Sequence, residues 1–229
     1  GLPEPKSFVL PHGGGTRYAP REEPRETIKA TPIAPWPGAP LQPIGDPMLA
    51  GVGPGSYANR PDVPDLTFEG TPKIIPMRVA TDYAVAHQDL DPRGLPVLGA
   101  DDVVGGRVKD IWVDQSEPQI RYLEVALPLA AEPEPVAAAP ATEEGGAEAA
   151  PAPVRRAPVA ETVLLPMNFV RVNRKARNLK VNAILGRHFI NVPRLAQPNQ
   201  VTLLEEDRIS AYYAGGTLYA KADRADPWM

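Results

Sequence analysis

The chain has no cysteine. That removes disulfides, cysteine-ligated zinc and thiol chemistry, and it leaves the compartment open. It has no excess of positive charge. Against 28 Asp and Glu stand 24 Lys and Arg, for a net charge of −4, so there is no basic footprint for nucleic acid. No apolar run reaches the roughly 18 residues that read as a membrane-crossing helix. The start, Gly1, Leu2, Pro3 and Glu4, has no initiator methionine and no signal-peptide pattern. The expectation is a chain that begins partway through a longer product.

Catalytic signatures are missing as well. There is no P-loop, no dinucleotide fingerprint, no HExxH and no GxSxG. His12, His87 and His188 are far apart, and each reads as a surface or turn residue rather than a ligand or base. Gly13, Gly14 and Gly15 precede no helical pattern, so they read as a turn and not as a phosphate cradle.

What the chain has in excess is proline: 30 of its 229 residues, where about one in twenty is usual. Sixteen lie at or before Pro76 and seven more between Pro128 and Pro158, so these mark two non-regular segments and the rest is the globular part. Residues 1–76 read as an extended Pro/Gly-rich arm, with short strands at residues 8–10 and 27–34. Within it Trp36, Leu41, Ile44, Met48, Leu49, Val52 and Tyr57 are too apolar for a free linker. The arm therefore lies on something, either its own core or a partner's surface. Residues 128–160, almost all Ala, Pro and Glu, bury too little apolar surface to offset chain entropy and read as a disordered insertion.

The fold centres on residues 105–127, GGRVKDIWVDQSEPQIRYLEVAL. Leu123, Val125 and Leu127 share one parity with Glu124 between them, the pattern of a half-buried strand. The preceding run, residues 107–113, alternates poorly, which predicts a bulge or burial on both faces. Gly105 and Gly106 punctuate its start, and an acidic turn joins the two strands. Further strands are expected at residues 74–79, interrupted by Pro76 and hence at an edge, and at 97–98. Residues 163–165 read as another strand, with 169–172 its continuation or neighbour. A hairpin follows across the polar turn 173–177, then a helical turn at 186–190. Residues 201–216 predict the one sizeable helix. Thr202 and Glu205 form its capping box, and acids fill its first turn. Leu203, Ile209 and Tyr213 share a face, and Gly215–Gly216 end it. The tail, 221–229, is expected to fray. Asp101, Asp102, Asp110, Asp114, Glu117 and Glu124 crowd the central hairpin. By composition a solvated acidic face is the better reading, and a cluster that moves protons or binds cations the lesser one.

Several longer motifs carry a resemblance. GGRVKDIWVD, RYLEVAL, VLLPM and VTLLEEDRISAYYAGGTLYA resemble the H subunit of the purple-bacterial photosynthetic reaction centre, whose soluble part is a PRC-barrel domain. PKSFVLPHGGGT at 5–16, GDPMLAGVGP at 45–54, LTFEGTPKIIPMRVA at 66–80 and DPRGLPV at 91–97 agree, in order, over nearly the whole chain. The resemblance implies a mainly β fold. A small PRC-type barrel with a C-terminal helix occupies 77–220, preceded by the arm. The family's single transmembrane helix is not in this sequence. It is expected as a removed segment, a separate chain, or a part of the same subunit that lies outside this sequence.

The resemblance also implies a function. Such a subunit does no redox chemistry and binds no cofactor itself. Bacteriochlorophyll, bacteriopheophytin, quinone and non-haem iron belong to its partners. It caps the cytoplasmic face of the L and M subunits at the photosynthetic inner membrane, touches antenna polypeptides, and lines proton routes to the secondary quinone. On that basis the proton-transfer residues are Glu117, with Asp114 and Arg121 beside it and setting its pKa, and Asp65 and Glu69 near the surface. Where some members carry an Asp and two His that bind divalent metals, this chain has Thr67, Glu69 and Thr71, so no metal site is expected. Partner contacts fall to Trp36, Gly45, Asp46, Pro47, Met48 and Tyr57. Two other readings compete. A stand-alone PRC-barrel adaptor has no need of the arm at 45–54. A small hydrolase with paired carboxylates requires a pocket with convergent polar groups.

Overall fold

The structure, a computed structural model, describes residues 4–20, 28–128 and 161–224. Its centre is the hairpin of β7 (Val104–Asp114) and β8 (Gln119–Ala126). The register pairs Arg107 with Ala126, Asp110 with Glu124 and Asp114 with Gln119. It slips twice, between Val108 and Asp110 and between Trp112 and Val113. Each slip breaks the two-residue alternation, which is why Ile111, Trp112 and Val113 are all buried in succession. The anticipated irregularity is thus real, and it bends β7. The other edge of β7 accepts two short strands, β6 (Pro96–Leu98) on its first half and β5 (Ile74–Pro76) on its last.

Gly105 and Gly106 lie inside β7 rather than before it. The reason is close approach. A Cβ on Gly105 would stand 2.2 Å from the ring of Phe189, which caps this end of the sheet.

Beyond β8 lies β9 (Thr162–Pro166), antiparallel to it. Beyond β6 lies β11 (Asn178–Val181), in parallel, and then β10 (Val170–Asn173). The order β10-β11-β6-β7-β8-β9, with β5 also on β7, makes one seven-stranded sheet that is not closed into a ring. The run after β9 was expected to continue or neighbour it. Instead β10 sits at the far end of the sheet, paired with β11 across the predicted polar turn. The segment after β9 first makes a 3-10 turn, Met167–Phe169, which redirects the chain.

One helix, α1 (Leu203–Tyr219), packs on the sheet. Thr202 caps it as predicted: its Oγ1 accepts from the Glu205 N–H at 3.1 Å, and Glu205 Oε2 accepts from the Thr202 N–H at 2.9 Å. The buried leucine of its first turn is Leu204, not Leu203. Gly215 and Gly216 do not end the helix, which runs on to Tyr219. Their role is contact: a Cβ on Gly216 would lie 2.4 Å from Ile184 Cγ2 and 2.8 Å from the Ala183 carbonyl. Nor does the start of the tail fray. The Arg224 guanidinium donates to the carbonyls of Asn182 at 2.9 Å, Gly216 at 3.2 Å and Ala183 at 3.3 Å, tying the helix end to the sheet.

The core lies between sheet and helix, around Trp112, Leu123, Leu165, Leu179, Ile209 and Tyr213. Tyr213 stacks on Phe169 at 5.5 Å and gives its hydroxyl proton to the Leu164 carbonyl at 3.2 Å, so a full aromatic burial leaves no orphan donor.

The arm is more structured than an extended strap. It holds two small hairpins, β1 (Lys6–Val9) with β2 (Thr16–Ala19) across the predicted glycine turn, and β3 (Ala30–Pro32) with β4 (Leu41–Pro43). A 3-10 turn, Gly53–Gly55, packs on α1. The expected insertion lies outside the described residues past Pro128. Its flanks are adjacent, with the Leu127 N–H bonded to the Glu161 carbonyl at 2.9 Å.

Candidate functional site

The acidic turn after β7 is built by Asp114. Its Oδ1 accepts the backbone N–H groups of Ser116 at 2.9 Å and Glu117 at 3.1 Å, an Asx-type turn. That geometry drives the other oxygen inward. Asp114 is 0% exposed. Its Oδ2 makes no hydrogen bond with the described residues, but two cations flank it, Lys73 Nζ at 3.6 Å and Arg121 Nη1 at 3.9 Å. A buried carboxylate is tolerated only with such compensation.

Both cations reach onward. Lys73 also stands 3.8 Å from Asp65 Oδ2, whose side chain is half exposed. It is held there by the main chain: the Lys73 N–H donates to the Asp65 carbonyl, and the Gln115 N–H to the Lys73 carbonyl. Arg121 Nη2 lies 4.0 Å from Glu206 Oε2 on α1. The same oxygen accepts from the Tyr122 hydroxyl at 2.7 Å. The result is one series, Asp65, Lys73, Asp114, Arg121, Glu206 and Tyr122, running from half-exposed surface to the sheet–helix interface. Burial raises the Glu206 carboxyl above the ordinary glutamate range, opposed by the Tyr122 bond and by Arg121. Burial, and then the Glu206 charge, push the Tyr122 phenol up, so it remains a donor. Three carboxylates share two cations, and one carboxyl sits where holding a proton costs little.

Of the sequence-predicted residues, the structure brings together Asp114, Arg121 and Asp65. Glu117 is exposed at the tip of the turn, where its carboxylate accepts from Gln119 Nε2 at 3.1 Å. Arg121 pairs with Asp114 and Glu206 and not with Glu117, so the expected Arg121–Glu117 pairing is replaced by these two. Glu69 is exposed on a tight turn that Thr67 and Thr71 brace, their hydroxyl oxygens 2.9 Å apart. Lys73, Tyr122 and Glu206 were missed. Glu206 was legible in part, since it falls on the same helical stripe as Ile209 and Tyr213.

The solvated acidic face is overturned for half of its members: Asp110, Asp114 and Glu124 are buried. Asp110 and Glu124 oppose each other across β7 and β8, where like charges repel. Arg78 resolves the conflict by donating to both, at 2.9 Å to Asp110 Oδ2, while Lys109 Nζ and Trp112 Nε1 reach Glu124 at 3.0 and 3.1 Å. Although burial works against it, these bonds hold Glu124 below the ordinary glutamate range. This second cluster clamps the bulged strand.

Among the expected contact residues, Trp36 and Tyr57 are exposed. Gly45 takes a positive φ of 80°, and Asp46 Oδ1 caps the next turn at the Met48 N–H. Pro47 is half-buried. Met48 turns inward, buried against Gly216 of α1.

The unclosed sheet with its buried, charge-clamped central hairpin defines a class: residues 86–187 match the PRC-barrel domain. Residues 1–79, the arm and β5, match the N-terminal region of the photosynthetic reaction centre H-chain. In this order and over most of the chain, the two matches together support an H subunit of a photosynthetic reaction centre. Members of that family associate with other reaction-centre subunits in a membrane complex. Among the described residues no helix is long and apolar enough to cross a membrane.

Proposed function

We propose that this H subunit is a non-catalytic cap on the cytoplasmic face of the L and M subunits, and that its buried carboxylate series supports proton transfer to the secondary quinone. In this reading the pigments, quinones and iron belong to the partner subunits, and antenna polypeptides pack alongside at the inner membrane. The observation that carries the proton role is Asp114, fully buried with a free oxygen between Lys73 and Arg121. A quinone that takes two electrons also takes two protons, and a series of carboxylates with differing proton affinities relays them. Asp65 and Glu69 are the surface acids that load the route. Glu206, raised by burial, is a carboxyl ready to hold a proton. Glu117, whose N–H is fixed by Asp114, is the exposed acid that passes protons on. The exposed apolar side chains of the first hairpin, Phe8, Val9 and Tyr18, support the capping role, because a two-stranded hairpin with no core of its own requires a surface to lie on.

The test is flash kinetics on the whole complex carrying Asp114→Asn or Glu117→Gln. Each substitution keeps size and accepting oxygen but cannot exchange a proton. The first electron transfer to the quinone should stay near the parent rate. The second, proton-coupled step should slow about tenfold, equivalent to ~1.4 kcal/mol of barrier. Unchanged second transfers in both variants would remove the series from the route.

A further inference from the structure

A second convergence of charge lies where the arm meets the helix, and it shares no residue with the carboxylate series. Lys29 and Arg208 line a cavity of about 250 Å³ with Tyr57 and the apolar Met48, Leu49 and Pro193. The Arg208 guanidinium lies 5.6 Å from the centre of the Tyr57 ring, a cation–π contact between two residues of the cavity wall. Neither cation has an ion-pair partner among the described residues. Carboxylates on the same elements are engaged elsewhere: Asp46 caps the Met48 N–H at 2.9 Å, and Asp207 pairs with Arg60 at 3.4 Å. Two cations from distant parts of the chain therefore line one cavity, and no acid lines it among the described residues.

What surrounds the cavity narrows the anion. The Ile44 N–H bonds the Lys29 carbonyl at 2.9 Å, which places Lys29 at the base of the β3–β4 hairpin. That hairpin exposes Ile33, Trp36, Leu41 and Ile44, and Leu49 is exposed beside the cavity. Cations at the foot of an apolar surface that carries a tryptophan suit the interface of a bilayer. The cavity is smaller than sites for drug-sized ligands, so it takes a headgroup and not a whole cofactor.

We propose that this cavity seats the phosphate of an anionic phospholipid, with the acyl chains lying along the β3–β4 hairpin. Arg208 offers forked N–H donors to the phosphate oxygens, and Lys29 adds a point charge. The capping of partner subunits and this lipid site fail separately, because vesicle binding needs no partner.

The experiment is flotation of the full chain with phosphatidylcholine vesicles, with and without phosphatidylglycerol. The parent should float only with the anionic vesicles. Lys29→Ala and Arg208→Ala should each weaken binding about fivefold. Tyr57→Leu, which leaves the charge untouched, should weaken it too. Lys175→Ala, a change at an exposed cation on the β10–β11 turn, should bind as the parent does. An equal loss in Lys175→Ala reduces the effect to net charge and overturns the site. So does absence of binding by the parent. Equal displacement by inorganic phosphate assigns the cavity to a soluble anion instead. Parent-like vesicle binding by the Lys29 and Arg208 variants, with poorer recovery of partner subunits in lipid-free detergent, assigns it to an acidic group on a partner protein.

Discussion

Asp114→Asn is the sharpest perturbation of the central hairpin, because it separates the two oxygens of one side chain. Asparagine keeps the Oδ1 acceptor, so the bonds to the N–H groups of Ser116 and Glu117, at 2.9 and 3.1 Å, survive. It replaces Oδ2 with an NH2 donor that faces Lys73 and Arg121, now without their shared counter-charge. Breaking a fully buried ion pair costs about 3–5 kcal/mol. Here the pairs are 3.6 and 3.9 Å long, the Lys73 and Arg121 side chains are 23% and 40% exposed, and Asp65 and Glu206 remain as partners. Water and these acids recover much of the loss, which leaves ~1–2 kcal/mol. For a chain of this size that corresponds to a fall in Tm of about 3–6 °C. Asp114→Ala removes the turn bonds as well and should cost ~1 kcal/mol more. Thermal unfolding of the three proteins in one buffer reads both effects. If the Asn variant melts with the parent while the Ala variant does not, the turn bonds alone matter, and the electrostatic account of Oδ2 is wrong.

Glu206 holds its proton more tightly in the folded chain than in the unfolded one. Its effect on stability is therefore a loss as pH rises from the ordinary glutamate value through the raised folded one; Glu206→Gln, which still accepts from Tyr122, should flatten that decline in urea unfolding across a pH series. Glu124 behaves oppositely: its stabilisation is present above the ordinary value and lost as pH falls through the lowered one, so Glu124→Gln should remove part of the acid-side decline in the same series, alongside a loss of stability at neutral pH. Gly216→Ala adds a good helix former yet should lower Tm, by ~1–3 kcal/mol of overpacking against Ile184 and Ala183, read by thermal unfolding. Joining residues 129 and 160 through a four-residue turn should leave Tm within a few degrees, since Leu127 and Glu161 already share a backbone hydrogen bond.

Local pattern carried much of this protein. The strand through Leu123 and Val125, the Thr202–Glu205 capping box and the Asn173–Arg177 turn each sit in a few consecutive residues and each formed, although the strand read as half-buried is buried on both faces from Tyr122 to Val125. Composition and motif order were enough to indicate a mainly β barrel class with a C-terminal helix. Other features depended on residues distant in sequence. Whether Glu124 and Asp110 face water depends on the register of two bulged strands and on Arg78, contributed by the segment after β5. Whether Gly215–Gly216 end a helix depends on what packs there, and close contact with the arm and with Ile184 kept the helix going. The same holds for the site. Asp114 and Arg121 are neighbours in the hairpin and were legible together. Lys73 and Glu206 reach them from a different strand edge and from α1, and no spacing rule links those positions. Side-chain type and local periodicity are properties of the chain, but burial and charge pairing are properties of the space between elements. Only the assembled sheet and helix decided which carboxylate lost its water and which cations stood beside it.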